Sequence, residues 1–158
     1  MAFYLLPLIV VAFFFGINQL VSVQTQNALP PAQTIKAGVS AETFLVYRDA
    51  CVKYAKANTG FTGSISPALL VLPPGVMMPS GLSNSVTSVS GGRQIAVWGT
   101  LSTGAPYSIS QATGGDATVG LVTAGSPNQW VSPSYGNMGA APVFAPAGST
   151  LSLVTISP

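Results

Sequence analysis

The chain has 158 residues, of which 48% are hydrophobic and only 5% charged, against about 25% charged in an ordinary globular chain. Five cations and three acids leave a net charge of +2, with no basic stripe interleaved with aromatics, which argues against nucleic-acid binding. The hydrophobic content excludes a disordered chain, and the length suits one domain plus an anchor.

The first segment, Ala2 to Ile17, reads AFYLLPLIVVAFFFGI, and Leu20, Val21 and Val23 extend it. A helix over this run is roughly 33 Å long, enough to cross a hydrocarbon core of about 30 Å. Pro7 is tolerated in such a helix, and Tyr4 suits a membrane interface. Residues 1–23 therefore read as a transmembrane anchor. A cleaved signal peptide needs a positive start and a small-residue cleavage site. The first is missing and the second is unclear, so cleavage stays open. A buried core helix in so small a protein keeps a polar stripe, which this run lacks. A prepilin leader places Gly before the apolar run and Glu soon after the cut, whereas here Gly16 follows the run and Val21 stands where that Glu belongs. One residue precedes the run, so the simpler topology exports the C-terminal part across the membrane. Lys36 lies too far out to set orientation firmly.

Residues 24–38 carry Pro30, Pro31 and Gly38 and read as a linker. The domain then occupies 39–158. A helix is predicted from about Ser40, as N-cap, to Asn58, with Glu42 in its first turn, Lys53 and Lys56 near its end, and Gly60 as stop. Phe44, Tyr47, Cys51, Tyr54 and Ala55 share one face; Glu42, Asp49, Lys53 and Lys56 share the other. Asp49 and Lys53 are spaced for an i,i+4 ion pair. Strands are predicted at 83–90 and 93–100 around Gly91-Gly92, a hairpin signal. Ile95 and Val97 point to one face, and Ala96 and Trp98 to the other. A short helix is predicted at 107–113. A second hairpin pairs 117–123 with 129–131, and a last strand covers 149–156 with Leu151 and Leu153 inward. Residues 133–148, rich in Pro, Gly and Ala, read as a loop. The fold class is α+β, an amphipathic helix packed on a small antiparallel sheet.

The inventory of reactive groups argues against an enzyme. The chain has no histidine, the commonest general base and a frequent metal ligand. Glu42, Asp49 and Asp116 form no carboxylate motif; they read as a solvated helix face and a turn residue. Neither Gly91-Gly92-Arg93 nor Gly114-Gly115-Asp116 has phosphate-loop spacing. Cys51, centred on the apolar helix face, reads as a small buried hydrophobe. No motif selects one serine for a Ser–Lys dyad. Met77, Met78, Trp98 and Trp130 are assigned to the core rather than to an interface. No catalytic, cofactor-binding or metal-binding residue is nominated, and no cofactor is expected.

The order of elements, together with FLVYRDACVKYAKANTGFTG at 44–63, LVLPPGV at 70–76 and RQIAVWG at 93–99, resembles the PilM family of type IVb, conjugative thin-pilus systems. This is the short inner-membrane protein, not the larger actin-like protein of the same name. The resemblance covers most of the chain and is weakest beyond residue 133. It implies a pilin-like domain in the periplasm, held by a single-pass anchor in the bacterial inner membrane. It implies a non-enzymatic part of the pilus assembly apparatus that docks pilins or other assembly proteins. The alternative is a structural minor pilin within the fibre. No nucleic acid or small-molecule substrate is expected as a partner, and homo-oligomerisation is left open.

Overall fold

A computed structural model describes residues 32–77, 79–142 and 144–157. The anchor expected at 1–23 lies outside the described residues, as does most of the linker. Among the described residues, no helix is long and apolar enough to cross a membrane.

Helix α1 spans Ala32–Ala57. It is rich in alanine and straight-chain residues and contains no proline, a composition that favours helix. Its buried positions, Ala37, Ala41, Phe44, Tyr47, Ala50, Cys51 and Ala55, follow the helical repeat and form one stripe. Helix was expected only from Ser40, yet it already runs at Ala32. Gly38 weakens a helix by about 1 kcal/mol against Ala, and burial of Ala37 and Ala41 on the same stripe offsets that. Ser40 is therefore no N-cap; its hydroxyl meets that of Ser102 at 2.8 Å. The C-terminus is as predicted. The Asn58 side chain bonds back to Tyr54 O at 2.9 Å, and Gly60 takes φ +91°, a conformation that suits glycine. Arg93, largely buried, donates to the carbonyls of Asn58 at 2.9 Å and Phe61 at 3.4 Å. A cation is favourable at a helix C-terminus.

Six strands follow: β1 Leu82–Val89, β2 Gly92–Gly99, β3 Val119–Thr123, β4 Gln129–Ser132, β5 Gly136–Ala140 and β6 Thr150–Ile156. They form one sheet in the order β1-β2-β6-β3-β4-β5, with every pair antiparallel. Helix α2, Ala105–Ala112, precedes β3 near the predicted short helix. The first hairpin turns at Ser90-Gly91, since Gly92 already pairs with Val89. Both predicted hairpins and the last strand are present.

The alternation in β2 sorts the core into two layers. Ile95 and Val97 join Phe44, Tyr47, Cys51, Val86 and Val119 between the sheet and α1. Ala96 joins Val122, Trp130, Ala141, Ala145 and Leu151 on the opposite face, with Trp98 and Leu153 at its margin. The segment read as a loop, 133–148, is therefore structured in two ways. Its first part is β5. Its second part lays Ala141 and Ala145 over the second sheet face and sets Phe144 4.6 Å from the Trp98 ring. The segment carries few β-formers, so its order comes from a template: β4 offers it a hydrogen-bonding edge.

Candidate functional site

The groups with chemical potential are mostly engaged in structure. Cys51 is fully buried, and burial pushes its thiol up to about 12, only partly countered by a bond from Tyr47. The thiolate is the reactive form of cysteine, so this side chain fills space, as its place on the helix face suggested. Burial likewise raises the Tyr47 phenol, and Asn84 partly offsets the rise. No three His, Cys, Asp or Glu side chains cluster among the described residues.

Asp116 was read as a turn residue and proves to be an anchor. Arg48 Nη1 donates to its Oδ2 at 2.7 Å, joining α1 to the turn before β3, while Arg48 Nε meets Asp49 Oδ1 at 3.1 Å. The expected Asp49–Lys53 pair is replaced by this Arg48-centred arrangement, because the sheet brings Asp116 within reach of Arg48. Thr118 N–H also donates to Asp116 Oδ1 at 2.8 Å. Burial alone raises this carboxyl; the bonds from Thr118 and Arg48 outweigh it and hold the group below its ordinary value. A depressed carboxylate contributes stability above its unfolded pKa and loses it as pH falls through the folded one. Asp116→Asn is therefore expected to cost about 1 kcal/mol at pH 7. Its difference from the parent should vanish below the normal carboxylate range. Denaturant titrations at both pH values measure this, and an equal cost at low pH defeats the reading.

Exposed apolar side chains mark the surface that remains. Leu69 is 50% exposed, Val71 87% and Met77 86%. Met77 was assigned to the core; the Pro73-Pro74-Gly75 turn instead carries it outward, while Met78 lies outside the described residues. Leu69 and Val71 form one wall of a groove of about 280 Å³ whose other wall is Ala50, Lys53, Tyr54 and Ala57 of α1 with Asn58 just beyond its end. Tyr54 is fixed there by an edge-on contact with Phe61 at 5.4 Å. A second groove of about 410 Å³ lies between α1 and α2, with Ala41, Leu45 and Ala112 as its apolar lining and Glu42 and Asp49 on its rim. Both grooves are shallow, open and mostly apolar, which suits contact with another protein surface. The strand 93–99, part of the sequence resemblance, is central in the sheet between β1 and β6 and is not a docking edge. Sequence reasoning placed α1 but missed Leu69 and Val71; their only signal was a short apolar run beside Pro73-Pro74, which reads equally well as buried strand.

A PilM family model matches residues 10–153. The chain belongs to the PilM family. Membership accords with a pilus-related role. Among solved structures, a chain called PilM from Escherichia coli B7A aligns with a TM-score of 0.57 at 17% identity, covering 80% of this chain and 98% of that one. This likeness concerns the fold. A second structure, called PilM and from Pseudomonas aeruginosa 2192, aligns at TM-score 0.41 and 24% identity over 77% of this chain and 94% of that one. No curated protein matches the chain.

Proposed function

We propose that this protein is a non-enzymatic inner-membrane component of a type IVb pilus assembly apparatus, with its α+β domain in the periplasm. The domain docks pilins or other assembly proteins through the groove between α1 and the Leu69–Val71 segment. The observation that carries the reading is the exposure of Leu69 and Val71 beside the apolar wall of α1, in a member of the PilM family. An anchor at 1–23 would confine the domain near the membrane and raise the effective concentration of weakly bound partners. The absence of histidine from the sequence and the burial of Cys51 support an architectural rather than a catalytic role.

Photo-crosslinking in cells with an intact pilus system tests this. A crosslinker at Lys53 is expected to capture pilins or pilus-system membrane proteins, and Val71→Asp in the same chain should abolish that capture without lowering protein level. Capture of unrelated proteins alone, or capture indifferent to Val71→Asp, overturns the docking assignment. A mature N-terminus near residue 17, with the chain recovered in sheared fibres, moves the protein to the minor-pilin alternative.

A further inference from the structure

One end of the domain carries exposed apolar side chains on its helices. Ile35 is 51% and Val39 59% exposed. They stand at i and i+4 on α1 and share a face, opposite the buried stripe that includes Ala37, Ala41 and Phe44. Helix formation does not account for them, since β-branched side chains lose χ1 freedom in a helix. Helix α2 begins at the same end. Gly104, which precedes it, lies against Ala37, since a Cβ there would stand 3.6 Å from the Ala37 Cβ, whereas Asp116, beyond α2, meets Arg48. Tyr107, in the first turn of α2, is 65% exposed. The Ser40–Ser102 hydroxyl bond fixes the loop before α2 to α1. Lys36 is exposed and is the single charge within residues 32–41 and 99–107.

We propose that this end of the domain rests on the surface of an anionic lipid bilayer, with Ile35, Val39 and Tyr107 among the headgroups and Lys36 against lipid phosphates. That placement rests on the reading of 1–23 as a membrane anchor. Chain length then favours lipid as the occupant. Eight residues, 24–31, separate the apolar run from α1, so Ala32 lies within about 30 Å of the point where Val23 leaves the hydrocarbon. Ile35 and Val39 follow within two turns, about 10 Å along the axis. Leu69 and Val71 instead line a groove with Ala50 and Ala57, near the other end of α1, and stay free for protein. Two aliphatic residues, a tyrosine and a lysine suit an interfacial contact: apolar groups reach the acyl boundary, the phenol sits at headgroup level, and the cation meets anionic phosphate. Glu42, exposed one turn beyond Val39, limits the contact, because its carboxylate has to stay in water. α1 therefore meets the bilayer at a steep angle, with its first two turns down.

The test reconstitutes the full chain into phosphatidylcholine vesicles with or without phosphatidylglycerol. A fluorescent dye is attached at Ile35→Cys or, for comparison, at Val71→Cys; Cys51 is buried and escapes labelling. Spin labels on the lipid headgroups are expected to quench the dye at Ile35→Cys several-fold more than the dye at Val71→Cys. Adding Lys36→Glu should lower the contact population about fivefold in vesicles with phosphatidylglycerol and leave it unchanged in phosphatidylcholine alone. Equal quenching at the two positions, in chain that floats with the vesicles, overturns the proposal and leaves the anchor reading standing. So does quenching at Ile35→Cys that ignores both Lys36→Glu and phosphatidylglycerol. Shielding of Ile35→Cys from aqueous iodide without quenching by lipid assigns the face to a protein partner and also overturns it. Chain that does not float with the vesicles defeats the anchor reading, and this inference with it.

Discussion

Replacing Asn84 by alanine should lower stability by about 3–5 kcal/mol, a large share of the 5–15 kcal/mol typical of a domain. Asn84 is 4% exposed and joins three parts of the chain. Its Oδ1 accepts from Ile65 N–H at 2.6 Å, and its Nδ2 donates to Ile65 O at 3.0 Å and to the Tyr47 hydroxyl at 2.7 Å. The carboxamide imitates a peptide group, extending the sheet sideways to a segment that does not otherwise pair at that point. Truncation removes one residue's bonds but strands three groups in a buried setting, each costing about 1–3 kcal/mol. Denaturant unfolding should show a lower midpoint with an unchanged slope, and hydrogen exchange should lose protection at the Ile65 amide. Ser85→Ala, on the neighbouring half-buried position, is the control and should be near neutral. A loss at Asn84→Ala no larger than at Ser85→Ala shows that water replaces the clamp.

Gly120→Ala should cost about 3 kcal/mol, roughly 10 °C in Tm. Alanine normally favours a folded chain over glycine, because it narrows the unfolded ensemble. Here a Cβ would lie 2.5 Å from Trp130 Nε1 and in collision with Val131 O. The obstacle includes backbone of the paired strand β4, so a rotamer change cannot relieve it. Trp130 is nearly buried and packs with Val122 and Leu151 on the second sheet face. Displacing it should also shift tryptophan emission to longer wavelength in the folded protein. A Gly120→Ala variant as stable as the parent, with unaltered emission, refutes this packing.

These two positions show what sequence reading could not reach. Gly120 lies inside a run correctly read as strand, yet nothing in that run says that an indole ten residues later lies on the bare backbone. Asn84 falls in the run predicted as a strand at 83–90, and nothing in that run singles it out. Its value depends on Tyr47 and Ile65, which are 37 and 19 residues away. β5 was missed for a related reason. Gly136 and Gly139 are poor strand formers, and both adopt positive φ; pairing with β4, not propensity, orders the strand. The exposed groove wall of Leu69 and Val71 was illegible because an apolar run beside prolines does not disclose which side the fold covers.

The sequence by itself determined the α+β class, both hairpins, the buried face of α1 and the division of β2 between two layers. Each of these is a periodicity or turn signal carried within a few residues, where local sterics and hydrophobic alternation dominate. Only the tertiary structure decided which polar groups meet: Arg48 with Asp116 across 68 positions, and Arg93 with the end of α1 across 35. Polar side chains have several partners open to them at similar energy, and the choice falls to whichever the packed layers bring within about 3 Å.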